Sequence, residues 1–174
     1  MSDNVIIERF DFAKTYNGLR QFDCNHDLIN RFVKKSMKKQ VENDYSAAYI
    51  LLDLNNQERF IGFYTITTFS IQKSTFEIPL KSSPSSVPVF RIIMLGVDKK
   101  YANRGYGSKL LKHCFKLVLR ASEEVGAKGL YLDAEDKKHE WYKKLGFEAI
   151  NSPDKDTNIM PMFISTDTIR DALC

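Results

Sequence analysis

The chain has 174 residues, 43% of them apolar and five of them proline, with a formal net charge of +4, a length that suits one well-buried core and is short for two. No apolar run approaches bilayer-spanning length and the Met-Ser-Asp-Asn start lacks a basic n-region, which argues against a membrane anchor or signal peptide and predicts a cytoplasmic protein. Three cysteines, Cys24, Cys114 and Cys174, share no metal-ligand spacing, so reduced thiols and no metal are expected, and with so mild a net charge its distribution says more than its sum.

In chain order, Val5 to Phe10 reads as a first strand. Asn25 or Asp27 can cap a helix that runs to about Gln40, with Ile29, Phe32, Val33 and Met37 recurring at helical spacing on its buried side. Ala47 to Asp53 and Phe60 to Phe69 read as strands joined in a hairpin by Leu-Asn-Asn-Gln. From Ser70 to Ser86 the chain is rich in Ser, Pro and Lys, the composition of a long exposed loop. Val87 to Val97 is a central apolar strand. A helix from Gly107 carries Leu110, Leu111, Cys114, Leu117, Val118 and Ala121 on one face and is closed by Gly126. Leu130 to Ala134 is a strand, Lys137 to Leu145 a short helix ended by Gly146, and Met160 to Ser165 a last strand. Strands paired first in a hairpin and then alternating with helices describe a single α/β or α+β layer domain over residues 1–174, with a mixed sheet.

The passage with most chemistry in it is Arg91-Ile-Ile-Met-Leu-Gly-Val-Asp98, followed by Lys-Lys-Tyr-Ala-Asn103-Arg104-Gly105-Tyr106-Gly107-Ser108-Lys109-Leu110. It leads from an apolar strand through a two-glycine turn into an amphipathic helix, where backbone N–H groups and the positive end of the helix dipole make a ready anion site. A Walker A loop is excluded, because Ala102 stands at its first glycine and Ser108 at its lysine; a Rossmann fingerprint is excluded, because Leu110 stands at its third glycine. From this passage alone, a diphosphate cradle and two glycines that merely permit a turn remain equal readings.

Downstream comes His139-Glu-Trp141-Tyr142-Lys-Lys-Leu-Gly146-Phe147-Glu148. The glycine loop followed by this aromatic-Tyr-x-x-x-Gly-Phe segment resembles the GNAT superfamily of N-acetyltransferases. Phe22-Asp23-Cys24-Asn25, the helix from Asp27 with Leu28 and Phe32, the approach Val87-Pro88-Val89 and the closing Asn158-Ile-Met160-Pro-Met-Phe163 resemble in particular the GNAT toxins of bacterial toxin-antitoxin pairs, which acetylate the free α-amino group of aminoacyl-tRNA. The resemblance implies a mostly antiparallel mixed sheet with flanking helices and a splayed central strand pair. It implies acetyl-CoA as cosubstrate, with its pyrophosphate on Asn103, Arg104, Gly105, Tyr106, Gly107, Ser108 and Lys109 and its pantetheine arm along Leu95, Gly96 and Val97. It also implies Tyr142 beside the sulfur as general acid, aminoacyl-tRNA as substrate, and an antitoxin and a second copy of the chain as candidate partners. The chain departs from the pattern at Asn25, where the toxins have glycine, at Ala102, where the loop usually begins with glutamine or arginine, and at Glu135 or Asp136, where an asparagine is usual.

Acetyl transfer from a thioester to an amine needs an uncharged amine, a stabilised oxyanion and a proton for the departing thiolate. A tyrosine, with an ordinary pKa of about 10, stays protonated at neutral pH and can donate to a thiolate whose conjugate thiol has a pKa of about 8.5. From helical spacing alone Tyr142 reads first as a packed aromatic beside Trp141, and it is the resemblance that reverses this order. No general base is evident: His113 and His139 read as surface imidazoles and His26 as a solvated cap. An α-amine next to an ester, below the usual 7.7–8.0 of an α-amino group, needs none. Arg31, Lys34, Lys35, Lys38 and Lys39 recur at i, i+3, i+4, i+7 and i+8, opposite the apolar side of the first helix and with no acidic residue between them. Such a stripe is either a tRNA-phosphate track or a solvated face kept for solubility. Lys99, Lys100, Arg104, Lys143 and Lys144 extend the positive field. The readings that stay open beside the tRNA-directed toxin are an acetyltransferase for a small or protein amine and a non-catalytic acyl-CoA binder.

Overall fold

The sheet is assembled from strands whose apolar residues alternate or run continuously according to how many faces they bury. In the computed structural model, which describes residues 3–75 and 83–174, the strands are β1 (Val5–Arg9), β2 (Ala47–Asp53), β3 (Arg59–Gln72), β4 (Ser86–Val97), β5 (Gly129–Ala134), β6 (Glu148–Ala149) and β7 (Met160–Ser165). The helices are α1 (Asp27–Lys35), α2 (Met37–Glu42), α3 (Tyr106–Val125), α4 (His139–Lys144) and α5 (Thr166–Leu173). The seven strands lie in the order β1-β2-β3-β4-β5-β7-β6. β1–β2, β2–β3, β5–β7 and β6–β7 are antiparallel and β4–β5 parallel. This is the expected mixed, mostly antiparallel α/β architecture.

The chain divides into two compact units, one of Met1–Thr67 with Ile93–Cys114 and the other of Thr68–Ile92 with Phe115–Cys174. In the first, Phe22 stands edge-on to Phe60 and Phe63, and Phe32 of α1 stacks on Phe63. Met37 of α2 is fully buried in the same core. In the second, Phe115 of α3 meets Phe147 just after α4, and Ile71, Val87, Val89, Tyr131, Ile150 and Phe163 form a separate apolar cluster.

Several boundaries differ from the sequence expectation. The single helix from Asp27 to Gln40 is two helices, broken at Ser36, whose φ of −118° leaves the helical range. The amide of Ser36 still reaches the Phe32 carbonyl and that of Gln40 reaches the Ser36 carbonyl, and the two segments bury Phe32 and Val33, and Met37 and Val41, respectively. Of the cap candidates Asn25, His26 and Asp27, it is His26 that caps the helix: its Nδ1 accepts the Ile29 amide at 3.4 Å. The Ser70–Ser86 loop is shorter than its composition implies, because Ile71 is buried and extends β3 to Gln72; its middle, 76–82, lies outside the described residues. The Lys137–Leu145 helix is a 3₁₀ turn (Asp136–Lys138) leading into α4. β6 and α5 were not anticipated. α5 starts where the Ser165 hydroxyl accepts the Thr168 amide, and it buries Ile169.

Candidate active site

The glycine loop is built in three steps. Asp98, at the end of β4, is almost wholly buried, and its carboxylate accepts the amides of Asp23 and Lys100 at 3.2 and 3.0 Å. That fixes the exit of the strand. Tyr101 then donates its hydroxyl to Asp53 at 2.8 Å, and the Arg104 guanidinium lies 5.4 Å from the Tyr101 ring centroid. Asn103 and Gly105 take left-handed φ values of 61° and 82°, which turn the chain into α3. A Cβ built on Gly105 meets nothing within 4 Å, so this glycine is required by conformation and the space beside it is open.

The first helical bond runs from the Lys109 amide to the Gly105 carbonyl, which leaves the amides of Gly105, Tyr106, Gly107 and Ser108 without acceptors inside the helix. Convergent donors, the positive end of a 20-residue helix and open space together fit a diphosphate. Arg104, Ser108 and Lys109 are exposed there. The Tyr106 side chain is buried and anchors the loop, so only its amide is available to a ligand.

Along β4, Leu95, Gly96 and Val97 lie beyond the parallel ladder with β5, which among the described residues has two rungs, Phe90↔Leu130 and Arg91↔Tyr131. A Cβ on Gly96 would lie 3.1 Å from Ile29 and 3.4 Å from both Cys24 and Phe22, so this glycine lets α1 and the loop before it close over the strand. The Met94 amide donates to the buried Thr65 hydroxyl at 3.2 Å, a side-chain acceptor within the strand pair. A threonine set among Phe63, Tyr64 and Ile66 is the signal that could have located this bond, since a buried hydroxyl must find a partner.

Tyr142 occupies α4 in the second unit, its ring buried between Trp141 and Phe147, with centroids 4.8 and 5.4 Å away in edge-on arrangements. The Leu145 and Phe147 amides both bond its carbonyl, so the Gly146 turn, at φ 103°, locks the backbone that carries it. Both histidines read as surface groups are instead engaged in the interior. His139 is buried, its Nε2 2.9 Å from the Ala134 carbonyl. His113 Nδ1 lies 2.8 Å from the hydroxyl of the fully buried Tyr64, and its ring meets Tyr49 at 5.1 Å. The signal was the place of His113 between Leu110 and Cys114 on the inner side of α3.

Asp23 and Lys99 form an ion pair at 2.8 Å, so Lys99 is locally neutralised and does not extend a free positive field. The Lys99 hydrogen bond first, then the Asn25 amide and the Asn30 side chain, hold the Asp23 carboxyl well below the usual carboxylate range. Asn25 adopts φ 61°, a left-handed conformation that glycine takes without strain and asparagine tolerates. Arg31, Lys34, Lys35, Lys38 and Lys39 are all exposed, with Phe32, Val33 and Met37 buried behind them. Among the described residues none of the five is in an ion pair. Among the described residues no helix is long and apolar enough to cross a membrane.

Comparison with known proteins agrees with this geometry. Residues 46–149 match the acetyltransferase (GNAT) domain family. A probable toxin TacT of Sinorhizobium fredii is 29% identical over 164 residues, 86% of this chain and 85% of the relative. A crystal structure of a bacterial toxin is 35% identical and superposes with a TM-score of 0.93, covering 99% of this chain and 96% of the other. The toxin AtaT complexed with acetyl-methionyl-tRNAfMet is 26% identical with a TM-score of 0.85, covering 98% of this chain and 100% of that one. A mutant of AtaT is also known bound to the C-terminus of the antitoxin AtaR and acetyl-CoA, at 27% identity and a TM-score of 0.80 over 98% of this chain and 99% of that chain. With the family model spanning more than half of its length, this chain belongs to the GNAT family of acetyltransferases.

Proposed function

We propose that this enzyme transfers the acetyl group of acetyl-CoA to the α-amino group of aminoacyl-tRNA, as the toxin of a toxin-antitoxin pair acting in the cytoplasm. The observation that carries the reading is the full-length likeness to AtaT, a toxin known in complex with acetyl-methionyl-tRNAfMet. The exposed stripe from Arg31 to Lys39 adds a surface that tRNA phosphates pair with as they release their counterions.

In the mechanism that follows, the amides of Gly105 to Ser108 hold the pyrophosphate, with Asn103, Arg104 and Lys109 around it, and Leu95 to Val97 guide the pantetheine. The neutral α-amine attacks the thioester carbonyl, an N–C bond forms, and the C–S bond breaks as the tetrahedral oxyanion collapses. Tyr142 gives its hydroxyl proton to the thiolate and regains one from solvent, while the amine nitrogen loses its surplus proton to water. A β4 amide polarises the carbonyl. With His113 held by Tyr64, His139 by Ala134 and His26 capping α1, no imidazole is assigned as base, and the ester-lowered pKa of the amine supplies the neutral nucleophile. An antitoxin completes the assignment, as AtaR does for AtaT.

The test is incubation of the purified protein with acetyl-labelled acetyl-CoA and a pool of charged tRNAs. Label recovered with aminoacyl-tRNA and absent from uncharged tRNA is expected; label in neither, with a small amine acetylated instead, would overturn the reading.

A further inference from the structure

Four side chains of the second unit form a stack that the transfer chemistry above does not use. Phe69, near the end of β3, lies against Tyr131 of β5 with ring centroids 4.9 Å apart and planes 29° from parallel. The Arg91 guanidinium of β4 sits 5.0 Å from the Phe69 centroid and 5.7 Å from that of Tyr131. Asp133 ties both down, accepting Arg91 on Oδ2 at 2.9 Å and the Tyr131 hydroxyl on Oδ1 at 2.6 Å. The cation is therefore balanced in place. What the assembly presents is a flat, fixed, locally neutral surface, unsuited to a free anion and suited to an uncharged planar group.

Three observations separate this stack from ordinary packing. Phe69 remains 37% exposed although it is a large apolar side chain. Arg91 Nε is buried with no hydrogen-bond partner, so the guanidinium is held against the rings at the expense of one of its donors. Arg91↔Tyr131 is also the last rung of the β4–β5 ladder, which puts the stack where the two strands cease to pair. Its side of the sheet follows from alternation: Tyr131 and Asp133 face away from Leu130 and Leu132. Ile164, the partner of Leu130 on β7, meets Gly146 at the end of α4. The stack thus lies on the opposite side of the sheet from α4, which carries Tyr142.

We propose that this stack is a platform for an unpaired nucleobase at the 3′ end of the acceptor tRNA, the base lying against the exposed part of the Phe69 side chain. The proposal rests on the aminoacyl-tRNA reading and deepens it. Unstacked bases of single-stranded RNA are taken up on aromatic rings and arginine planes, with little sequence preference because every base has a π-face. That suits a 3′ end common to all tRNAs. It leaves the basic stripe to read the phosphates and this stack to place the end of the strand.

The test compares two acceptors of one amino acid: its amide, and its 3′-amide-linked adenosine, which carries the α-amine and one base and nothing else of tRNA. Wild-type enzyme is expected to prefer the nucleoside by about 10-fold or more in kcat/KM, the size of one base-stacking interaction, with the preference in KM. Phe69→Ala should bring the ratio near one while the KM for acetyl-CoA holds, and Phe69→Trp should restore it. No preference in the wild type, a preference that survives Phe69→Ala in a folded protein, or transfer to neither acceptor would overturn the platform. Loss of oligomeric state in Phe69→Ala with the preference intact would also overturn it and assign the patch to protein contact. Failure of the underlying reading is seen separately, as wild-type enzyme that leaves whole aminoacyl-tRNA unacetylated.

Discussion

Tyr142 is where packing and chemistry can be separated by one atom. Tyr142→Phe keeps the ring that Trp141 and Phe147 enclose and removes only the proton donor. Turnover should fall by on the order of 10²-fold or more, while melting temperature and calorimetric affinity for acetyl-CoA hold; undiminished turnover would assign the proton to water. Asp23 gives a prediction in pH. Its folded pKa is depressed below the ordinary 3.8, so the stability it contributes is present above that value and is lost as pH falls through the folded pKa. Lys99, held above its ordinary 10.5 by the same pair, loses its share as pH rises through its raised pKa. The melting-temperature advantage of wild type over Asp23→Asn should be level near neutrality and shrink below about pH 4; a gap that does not change with pH would remove the pair from the stability account. The place of Tyr142 on a short helix that ends just before Gly146 was legible from its motif. The partners of Asp23, His113 and Arg91 were not, because each interaction joins distant parts of the chain and leaves no periodic trace: Lys99 lies 76 residues from Asp23, and Asp133 lies 42 from Arg91.

At the scale of elements, the strand–loop–helix from Arg91 to Lys109 was readable almost residue by residue. A tight turn needs residues that tolerate positive φ, and Asn103 and Gly105 supply them. Gly107→Val puts a branched side chain on the first turn of α3, where phosphate oxygens must approach the amides, and should abolish acetyl-CoA binding in a protein that still folds. Calorimetry showing wild-type affinity would sink the cradle assignment. Elements that carry few residues or begin by capping alone were harder to see. β6 has two residues and no pattern of its own. α5 is announced only by Ser165 and the spacing of Thr166 and Ile169, which become buried. The break at Ser36 hid inside an uninterrupted helical period, because the buried residues of α1 and α2 continue one apolar spacing across it.

For the molecule as a whole, the proposed substrate is a polyanion, and charge is the property that would draw it. A formal +4 is too small to draw tRNA by itself, but five exposed cations on one side of α1 and α2 are a local field. Lys34 and Lys35 also sit in the last turn of α1, where they favour the helix dipole, so part of the stripe has a structural reason to be basic. Reversing Lys35 and Lys38 to Glu should lower the rate on aminoacyl-tRNA relative to a small free amine and flatten its salt dependence by roughly one logarithmic unit of slope for each phosphate no longer neutralised. Equal rates across a salt series would return the stripe to simple solvation. The most direct measurement is the mass of the amino acid released by mild alkali from aminoacyl-tRNA that has been incubated with enzyme and acetyl-CoA. The account predicts an N-acetylated amino acid, formed by wild type and strongly reduced with Tyr142→Phe. Unmodified amino acids from every charged tRNA, with acetyl-CoA consumed on another amine, would contradict it.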